Sequence, residues 1–275
     1  MAQYRAAATL AVAATLIVSS GCDNLASRRL DYDNTETARI SAVRVLPGAG
    51  DVTVRGIGTA GEVRIKRVLR YHGGQPDTKY AIKGDELVLD TDCGNDCSVS
   101  YEVTVPEGVR VTGETGSGDV NLSKVGPVEM KVGSGSIRVS GSAAVQAETG
   151  SGDVAVSRAA GTVRVKTGSG NVEVEDATAE VTLQTGSGDI TGRRLGAGVD
   201  AEADSGNVTL DLAAPASARA HASSGDVELV VPAGRYQVRS RTGGGGARLG
   251  VTHDPAATLV LDISTDSGNQ TLTQR

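Results

Sequence analysis

Apolar and polar residues alternate along most of this chain, in short runs separated by glycine-rich turns. Around position 164, Val163 and Val165 alternate with Arg164 and Lys166, and a similar alternation resumes after the next turn at Val172. A period of two residues is that of a β-strand with one buried face. The pattern therefore predicts pairs of short strands joined by tight turns.

The turns share one sequence motif, whose clearest copy is TGSGDV at positions 149–154. Near-copies recur through the C-terminal two-thirds, with their central serines at positions 117, 134, 151, 169, 187, 205 and 224. Such a regular interval is typical of a repeat protein in which each repeat is one structural unit. Two glycines around one residue allow a positive φ or a close approach that a Cβ would resist. We interpret the motif as a corner of the fold.

Two architectures provide two strands per repeat, a solenoid in which each repeat is one coil and an antiparallel meander of hairpins. A solenoid stacks equivalent residues at about 4.8 Å, so the same residue type recurs at each coil position, whereas a meander needs only the apolar alternation. The turn residues themselves repeat in this chain. We therefore predict an all-β, single-stranded β-helix or solenoid with two short strands per coil and about 17–18 residues in each coil.

The position after the second glycine carries an acid or an amide in most copies of the motif. We interpret these residues as a structural corner ladder: Asp119, Asp153, Asn171, Asp189, Asn207 and Asp226. From position 153 onward acid and amide alternate, which separates the carboxylates by about 10 Å instead of about 5 Å. The alternation weakens their repulsion, and we expect each Asn to donate to both neighbours.

Composition limits the width of the interior and the range of partners. The 275 residues include 37 Gly and neither Phe nor Trp, so we expect a narrow core of Val, Leu, Ile and Ala. The net charge of −6 comes from 27 basic and 33 acidic residues that are interspersed along the chain. Since no basic stripe results, we expect no nucleic-acid partner.

The N-terminus has the composition of an export signal. An apolar run at positions 6–18 follows Arg5 and leads to Ser19-Ser20-Gly21-Cys22. Small residues directly before a cysteine resemble a bacterial lipoprotein signal, although Ser19 departs from the Leu or Val usual at that position. We predict a lipoprotein-type signal peptide over 1–21, lipidation of Cys22 and a flexible tether over 22–38. This interpretation anchors the chain in the outer face of the cytoplasmic membrane; an ordinary cleaved signal with a chance cysteine is the alternative.

The two remaining cysteines, Cys93 and Cys97, are separated by three residues with Gly94 and Asn95 among them. In an exported chain such a pair predicts a disulfide that fixes a local turn. A metal or redox pair is the alternative, but this spacing is not Cys-x-x-Cys and no third or fourth zinc ligand accompanies it.

The motif spacing also suggests the domain organisation. We predict one β-solenoid domain over 39–275, with irregular N-terminal coils at 39–108, regular repeats at 109–231 and looser C-terminal coils at 232–275. Gly84-Asp85 is interpreted as a degenerate corner. Ala49 belongs to an early echo of the motif and precedes Ser117 by four periods of the repeat.

With these residues in view, the chain from Ile40 onward resembles the DUF4097 family of adhesin-like proteins. The resemblance depends on the successive TGSGDV copies, on Gly84-Asp85-Glu86-Leu87, and on the run from Cys97 to Pro106. It implies a right-handed single-stranded β-helix and a location at the cell surface.

No set of residues converges on a catalytic site in the sequence. The three histidines, His72, His221 and His253, have unrelated neighbours and no nucleophile motif beside them. We therefore predict a protein that is not an enzyme and has no cofactor, no catalytic residue and no metal. Calcium is an alternative because Gly-Ser-Gly-Asp is similar to nonapeptide calcium rolls, but those rolls need Gly-Gly-x-Gly-x-Asp at both ends of a coil.

The function predicted from these features is a cell-surface lipoprotein that binds or scaffolds, with an envelope protein or a glycan as its ligand. Envelope-stress sensing or regulation through a protein partner is the alternative. A polysaccharide-active β-helix enzyme is a third hypothesis, weakened because Tyr236 is the sole aromatic residue from Val109 onward and sugar clefts usually use aromatic platforms.

The ladder predicts the effect of replacing both Asn171 and Asn207 by Asp. In stacked coils the added carboxylates repel their neighbours by roughly 1 to 3 kcal/mol each, so the double variant should melt below the wild type at pH 7 and low salt. The loss should shrink in high salt, where the repulsion is screened. Thermal melts at two salt concentrations measure both effects. Wild-type melting of the double variant at low salt would contradict stacked corners, and with them the solenoid.

Overall fold

The computed structural model describes residues 27–77 and 79–275, which form β-strands joined by turns. These strands make two sheets, a 13-stranded sheet A and a 12-stranded sheet B, whose inner faces share one hydrophobic core. The predicted signal peptide and Cys22 lie outside the described residues. Within those ranges the structure contains no helix long and apolar enough to cross a membrane.

The strands fall into three groups along the chain. The N-terminal group is β1 Arg28–Glu36, β2 Ala42–Leu46, β3 Val52–Gly56, β4 Val63–Tyr71, β5 Tyr80–Lys83, β6 Glu86–Asp90 and β7 Cys97–Val105. The middle group is β8 Arg110–Ser117, β9 Val120–Ser123, β10 Val128–Ser134, β11 Ile137–Ser142, β12 Val145–Ser151, β13 Val154–Ala159, β14 Val163–Ser169, β15 Val172–Ala177, β16 Val181–Ser187, β17 Ile190–Leu195, β18 Val199–Ser205, β19 Val208–Leu212, β20 Ala218–Ser224 and β21 Val227–Val231. The C-terminal group is β22 Tyr236–Thr242, β23 Ala247–Leu249, β24 Leu259–Ser267 and β25 Gln270–Gln274.

In the middle group each coil contributes one strand to sheet B and the next strand to sheet A. Equivalent strands pair in parallel and in register, so that Val145, Val163 and Val181 lie side by side in sheet B. A meander would pair consecutive strands antiparallel. The predicted solenoid with two short strands per coil is therefore confirmed.

The core is a narrow double layer of aliphatic side chains. In β14, for example, Val163, Val165 and Thr167 point inward and are buried, while Arg164 and Lys166 are exposed. Each buried valine contributes on the order of 1.5 to 3 kcal/mol by removing apolar surface from water. Because equivalent residues stack in register, every coil adds a similar layer to the core.

The second glycine of each motif makes the corner between sheets B and A. These glycines have φ between +110° and +153°, a region that residues with a Cβ rarely adopt: Gly118, Gly135, Gly152, Gly170, Gly188, Gly206, Gly225 and Gly268. A Cβ on any of them would also lie 1.9–2.4 Å from the carbonyl oxygen of the stacked corner glycine in the neighbouring coil. Both the backbone conformation and the close stacking therefore require glycine.

The residue after that glycine connects neighbouring coils through its side chain. The Oδ1 atom of each acid or amide accepts a hydrogen bond from the backbone N–H of the equivalent residue in the next coil, at 2.7–3.1 Å. The acceptors are Asp51, Asp119, Asp153, Asn171, Asp189, Asn207, Asp226 and Asn269. Asp and Asn are equivalent here because both offer a carbonyl-type oxygen. We keep the name corner ladder for this longer row.

The expectation that each ladder Asn donates to both neighbours was wrong. Asn207 donates from Nδ2 to Oδ1 of Asp189 at 3.3 Å, and toward the other side its Oδ1 accepts from the amide of Asp226. The backbone amide, and not a second carboxylate, is the partner on that side. The Asn-to-Asp replacements described above therefore keep the acceptor for the backbone amide and add a negative charge, and at position 207 the Nδ2 donor to Asp189 is also lost.

A buried threonine supports the same corner from inside, a role that the sequence did not indicate. The hydroxyl groups of Thr149, Thr167 and Thr185 donate to the carbonyl of the second glycine in the neighbouring coil at 3.0–3.1 Å. These threonines are almost fully buried. A buried hydroxyl without a partner would be costly, so the bond explains a polar residue in the core.

The order of coils at the N-terminal end differs from the order of the chain. In sheet B, β2 lies between β6 and β8, and in sheet A, β3 lies between β7 and β9. Ala49 forms a bridge with Ser117 in the directly adjacent coil. The interval of four periods between them was therefore a coincidence, because the chain returns from an outer coil to pair beside its first one.

Two local predictions in this end of the chain were wrong. Residues 28–36, assigned to a flexible tether, form β1, which pairs antiparallel with β4 and places Leu30 opposite Leu69. Gly84-Asp85, assigned to a corner, is the turn of the antiparallel hairpin between β5 and β6, with Gly84 at φ +67°. Both β1 and β5 pair antiparallel at the outer edges of the sheets, where no regular coil precedes them.

The disulfide and a buried tyrosine close this end. Cys93 and Cys97 are bonded, with their Cα atoms 6.0 Å apart, which confirms the predicted disulfide. Their turn lies where the chain passes from β6 to β7, the corner of the outermost coil. Tyr101 is 2% exposed and donates to the carbonyl of Asp90 at 2.9 Å, and burial raises the pKa of its hydroxyl to about 12.

At the C-terminal end, too, the order of the coils differs from the order of the chain. The last strands, β24 and β25, stack in register on β20 and β21, while β22 and β23 lie outside them. The prediction of looser coils over 232–275 was therefore wrong for β24 and β25. The corner ladder ends at Gly246, whose N–H donates to Asn269 and which has no side chain to accept from a further coil.

Replacing Gly170 by Ala tests the corner stack. The new Cβ would lie 2.1 Å from the carbonyl of Gly152 at φ +141°. We therefore expect a loss of roughly 2 to 4 kcal/mol in unfolding free energy. Gly198→Ala is the control, because its nearest contact would be an ordinary 3.5 Å. Denaturant unfolding compares the variants; equal stability of both would refute the close stacking.

Within the described residues the ladder has one gap, which can be filled. Ser136 occupies the ladder position between Asp119 and Asp153, and the structure gives no hydrogen bond from its short side chain to the amide of Asp153. Ser136→Asn should supply the missing acceptor and stabilise the fold by about 1 kcal/mol. Ser134→Asn, two residues earlier on the exposed tip, is the control. A Ser136→Asn variant no more stable than this control would contradict the prediction.

Candidate binding surface

A trough on the outer face of sheet A is the candidate binding surface. It crosses β9, β11 and β13 and has a volume of about 610 Å³. Its floor consists of small side chains that point outward: Asn121, Ser123, Ser140, Ala155 and Ser157. Side chains of this size leave a recess between the longer side chains at its two ends.

The parallel register arranges the trough residues in rows. Ser123, Ser140 and Ser157 are direct neighbours across the sheet, with Arg55 at one end of their row and Glu175 at the other. At about 4.8 Å per strand, the two charged residues are about 19 Å apart at Cα. A second row runs beside the first and places Arg138 at its centre.

The basic side of the trough is partly neutralised by neighbouring acids. Arg55 forms an ion pair with Glu102 on β7. Arg138 Nη1 lies 3.6 Å from Oδ2 of Asp119, whose Oδ1 accepts the amide of Ser136 in the corner ladder. The ladder thus holds the carboxylate that orients Arg138, and both guanidinium groups remain about half exposed.

The acidic side is held by two arginines on β17. Arg193 contacts Glu173 at 2.5 Å, and Arg194 contacts Glu175 at 2.6 Å and Asp176 at 2.7 Å. The hydrogen bonds from Arg194 hold the pKa of Asp176 below its usual range. Since all these side chains are exposed, the pairs orient the rim more than they stabilise the fold.

The backbone at the turn from sheet A back to sheet B explains the position of Arg194. Lys124, Arg158, Asp176 and Arg194 occupy equivalent positions and have φ between +52° and +56°. A left-handed conformation is costly for residues other than glycine, Asn and Asp, and it was not predicted. The conformation turns a second consecutive residue outward, which brings Arg194 to both Glu175 and Asp176.

A second groove, of about 770 Å³, lies on the outer face of sheet B near the C-terminus. There Nδ1 of His221 lies 2.9 Å from Oγ of Ser264, and the register places Glu202 on the other side of the histidine. The sequence analysis missed this contact because β22 and β23 intervene between the two strands in the chain. The contact alone does not make a hydrolytic site: β24 pairs on both sides, which occupies the backbone amides near Ser264 that would hold an oxyanion.

The predicted site residues fall in different places. The six ladder residues lie along one corner edge, and of these Asp119 reaches the trough through Arg138. Cys93 and Cys97 lie at the N-terminal end, and Cys22 is outside the described residues. In the part of the chain that the structure describes, no group of three His, Cys, Asp or Glu side chains is arranged to hold a metal ion.

The fold and the corner motif define a β-solenoid of repeated strand pairs. A family model described as Toastrack DUF4097 matches residues 77–273, and the chain belongs to that family. The resemblance stated from the sequence is thus confirmed. No curated protein matches the chain.

Three solved structures are similar to it. A "putative adhesin" from Bacteroides fragilis has 13% identity and a TM-score of 0.39, covering 89% of this chain and 97% of its own. A "putative adhesin" from Parabacteroides merdae has 10% identity and a TM-score of 0.29, covering 89% and 96%. A "putative cell adhesion protein" from Clostridium sporogenes has 10% identity and a TM-score of 0.25, covering 89% and 100%.

Proposed function

We propose that this protein is a binding module of the bacterial envelope that presents the trough of sheet A to a partner. The observation that carries the proposal is the trough itself, a recess with a small polar floor and rims of opposite charge on an in-register sheet. Surface recesses with a few oriented polar groups are typical of binding sites. The ion pairs along both rims supply that orientation before any partner arrives.

We further propose that Cys22 is lipidated and anchors the chain in the outer face of the cytoplasmic membrane. The support is the apolar run that ends in Ser-Ser-Gly-Cys at position 22. Two acyl chains are sufficient for stable anchoring. The first strand begins at Arg28, close to Cys22 in the chain, so a lipidated protein would stand with its N-terminal coils nearest the membrane.

A binding role is favoured over catalysis by the chemistry of the trough. Its acidic residues, Glu173 and Glu175, are engaged by arginines, and none of its lining residues is aromatic. A glycan-cleaving cleft needs a free carboxylate pair and usually an aromatic platform. The same surface would serve an envelope-stress regulator, whose partner would be a signalling protein.

Ala155→Arg tests the use of the trough. Ala155 points outward between Arg138 and Glu173, so a large side chain fills the recess without removing a core contact. After crosslinking in intact envelopes, we expect the variant to lose at least tenfold of the crosslinked product, with an unchanged melting temperature. Gln184→Arg on the outer face of sheet B is the control. Undiminished crosslinking of Ala155→Arg would reject the trough.

Detergent partitioning tests the anchor. We expect the wild type to enter the detergent phase and Cys22→Ala to remain in the aqueous phase, because the variant has no acyl chains. Equal release of both proteins into the aqueous phase would make the lipoprotein proposal untenable.

A further inference from the structure

We propose that the partner of the trough is a second copy of this chain, packed face to face on sheet A with its coils running in the opposite direction. The inference rests on the proposed function of the trough as a binding surface and names its occupant. It follows from the arrangement of charge and size across five adjacent strands, β3, β9, β11, β13 and β15.

The central row is complementary to its own reverse. It reads Arg55, Ser123, Ser140, Ser157, Glu175 across the sheet, so it has a cation, three small hydroxyl residues and an anion. A two-fold axis that runs parallel to β11, above Ser140 and midway between the two sheets, places Arg55 of each copy against Glu175 of the other. Such an isologous contact uses the same patch twice, which is the usual geometry of a dimer.

The charges also select the direction of packing. A two-fold axis along the stack of coils would place Arg55 on Arg55 and Glu175 on Glu175, and like charges in contact disfavour an interface. The axis parallel to the strands creates two opposite-charge contacts instead. Each rim residue is already oriented by a neighbour, Arg55 by Glu102 and Glu175 by Arg194.

The size of the floor residues permits the approach. Two sheets pack face to face at about 10 Å when their facing side chains interdigitate. Ser123, Ser140 and Ser157 are half-buried and short, so the two floors can approach until the long rim side chains of one copy reach those of the other.

One residue, Arg138, opposes the contact, so replacing it tests whether association becomes stronger or weaker. Arg138 lies on β11, the strand on the axis, so it would approach its own copy. Its charge is only partly offset by Asp119 at 3.6 Å. We therefore expect Arg138→Gln to strengthen the association, whereas a role of Arg138 in binding an acidic molecule would make the same change weaken it.

The antiparallel arrangement has a consequence for location. Because the axis reverses the stack, the N-terminal coils of the two copies lie at opposite ends of the pair. If each copy is anchored near its N-terminal coils, the pair joins two facing surfaces and not two neighbours on one membrane.

Sedimentation equilibrium of the mature protein, with charge reversals in the rim, tests the proposal. We expect Arg55→Glu and Glu175→Arg each to weaken self-association by about tenfold, because each removes two pairs and creates two repulsions. The double variant should recover to within about threefold of the wild type, since the charges are exchanged. Arg164→Glu on the outer face of sheet B is the control, and melting temperatures exclude misfolding.

Three outcomes would overturn the inference: a monomer at all concentrations, single reversals without effect, or no recovery in the double variant. In any of these cases, crosslinks to another envelope molecule that Ala155→Arg still abolishes would leave the proposed binding function standing with a different partner. If the chain does not self-associate and Ala155→Arg also leaves every crosslink unchanged, the proposed function and the proposed dimer are both refuted.

Discussion

The structure depends on how closely one corner can approach the next. Two sheets of parallel strands fit together only if the chain turns sharply between them and if the turns stack at the spacing of the strands. The second glycine permits this stacking, since a Cβ would lie 1.9–2.4 Å from the neighbouring carbonyl. The backbone hydrogen bonds of the sheets are then continued around the turn by the corner ladder, in which a corner amide donates to the Asp or Asn of the neighbouring coil. Backbone amides that would otherwise be unpaired at the corners are thus satisfied, except the amide of Asp153, which has Ser136 in place of an acceptor.

The same constraint explains the ends of the molecule. A solenoid exposes unpaired strand edges at both ends, and such edges invite further pairing. At the N-terminal edge, β1 and β5 pair antiparallel, and the disulfide closes the corner of the outermost coil. At the C-terminal edge the ladder stops at Gly246, which has no acceptor for another coil. The exchange of coil order at both ends places a regular coil inside an irregular one, so the irregular coils act as caps.

Much of this architecture was predictable because its causes are local in the sequence, whereas the order of the coils and the trough were not. The alternation along Val163 and Val165 and the regular interval of the corner motif give the strands and the coils directly. Ala49 pairs with Ser117 although five strands, β3 to β7, lie between them in the chain, and these strands do not follow the regular repeat. The trough was not predicted for a related reason. Its serines are ordinary outward residues in the sequence, and only the register of the strands places Ser123, Ser140 and Ser157 side by side. The function of the surface therefore depends on the regular stacking of the corners, which sets the register of every strand.

Amide hydrogen exchange at the corners tests that stacking most directly. The account predicts slow exchange for the amides of Asn171, Asp189 and Asn207, which donate to the side chain of the neighbouring coil. It predicts exchange at least tenfold faster for the amide of Asp153, which has Ser136 in place of an acceptor. Equal exchange at all four positions would contradict the ladder, and with it the claim that the corners set the register.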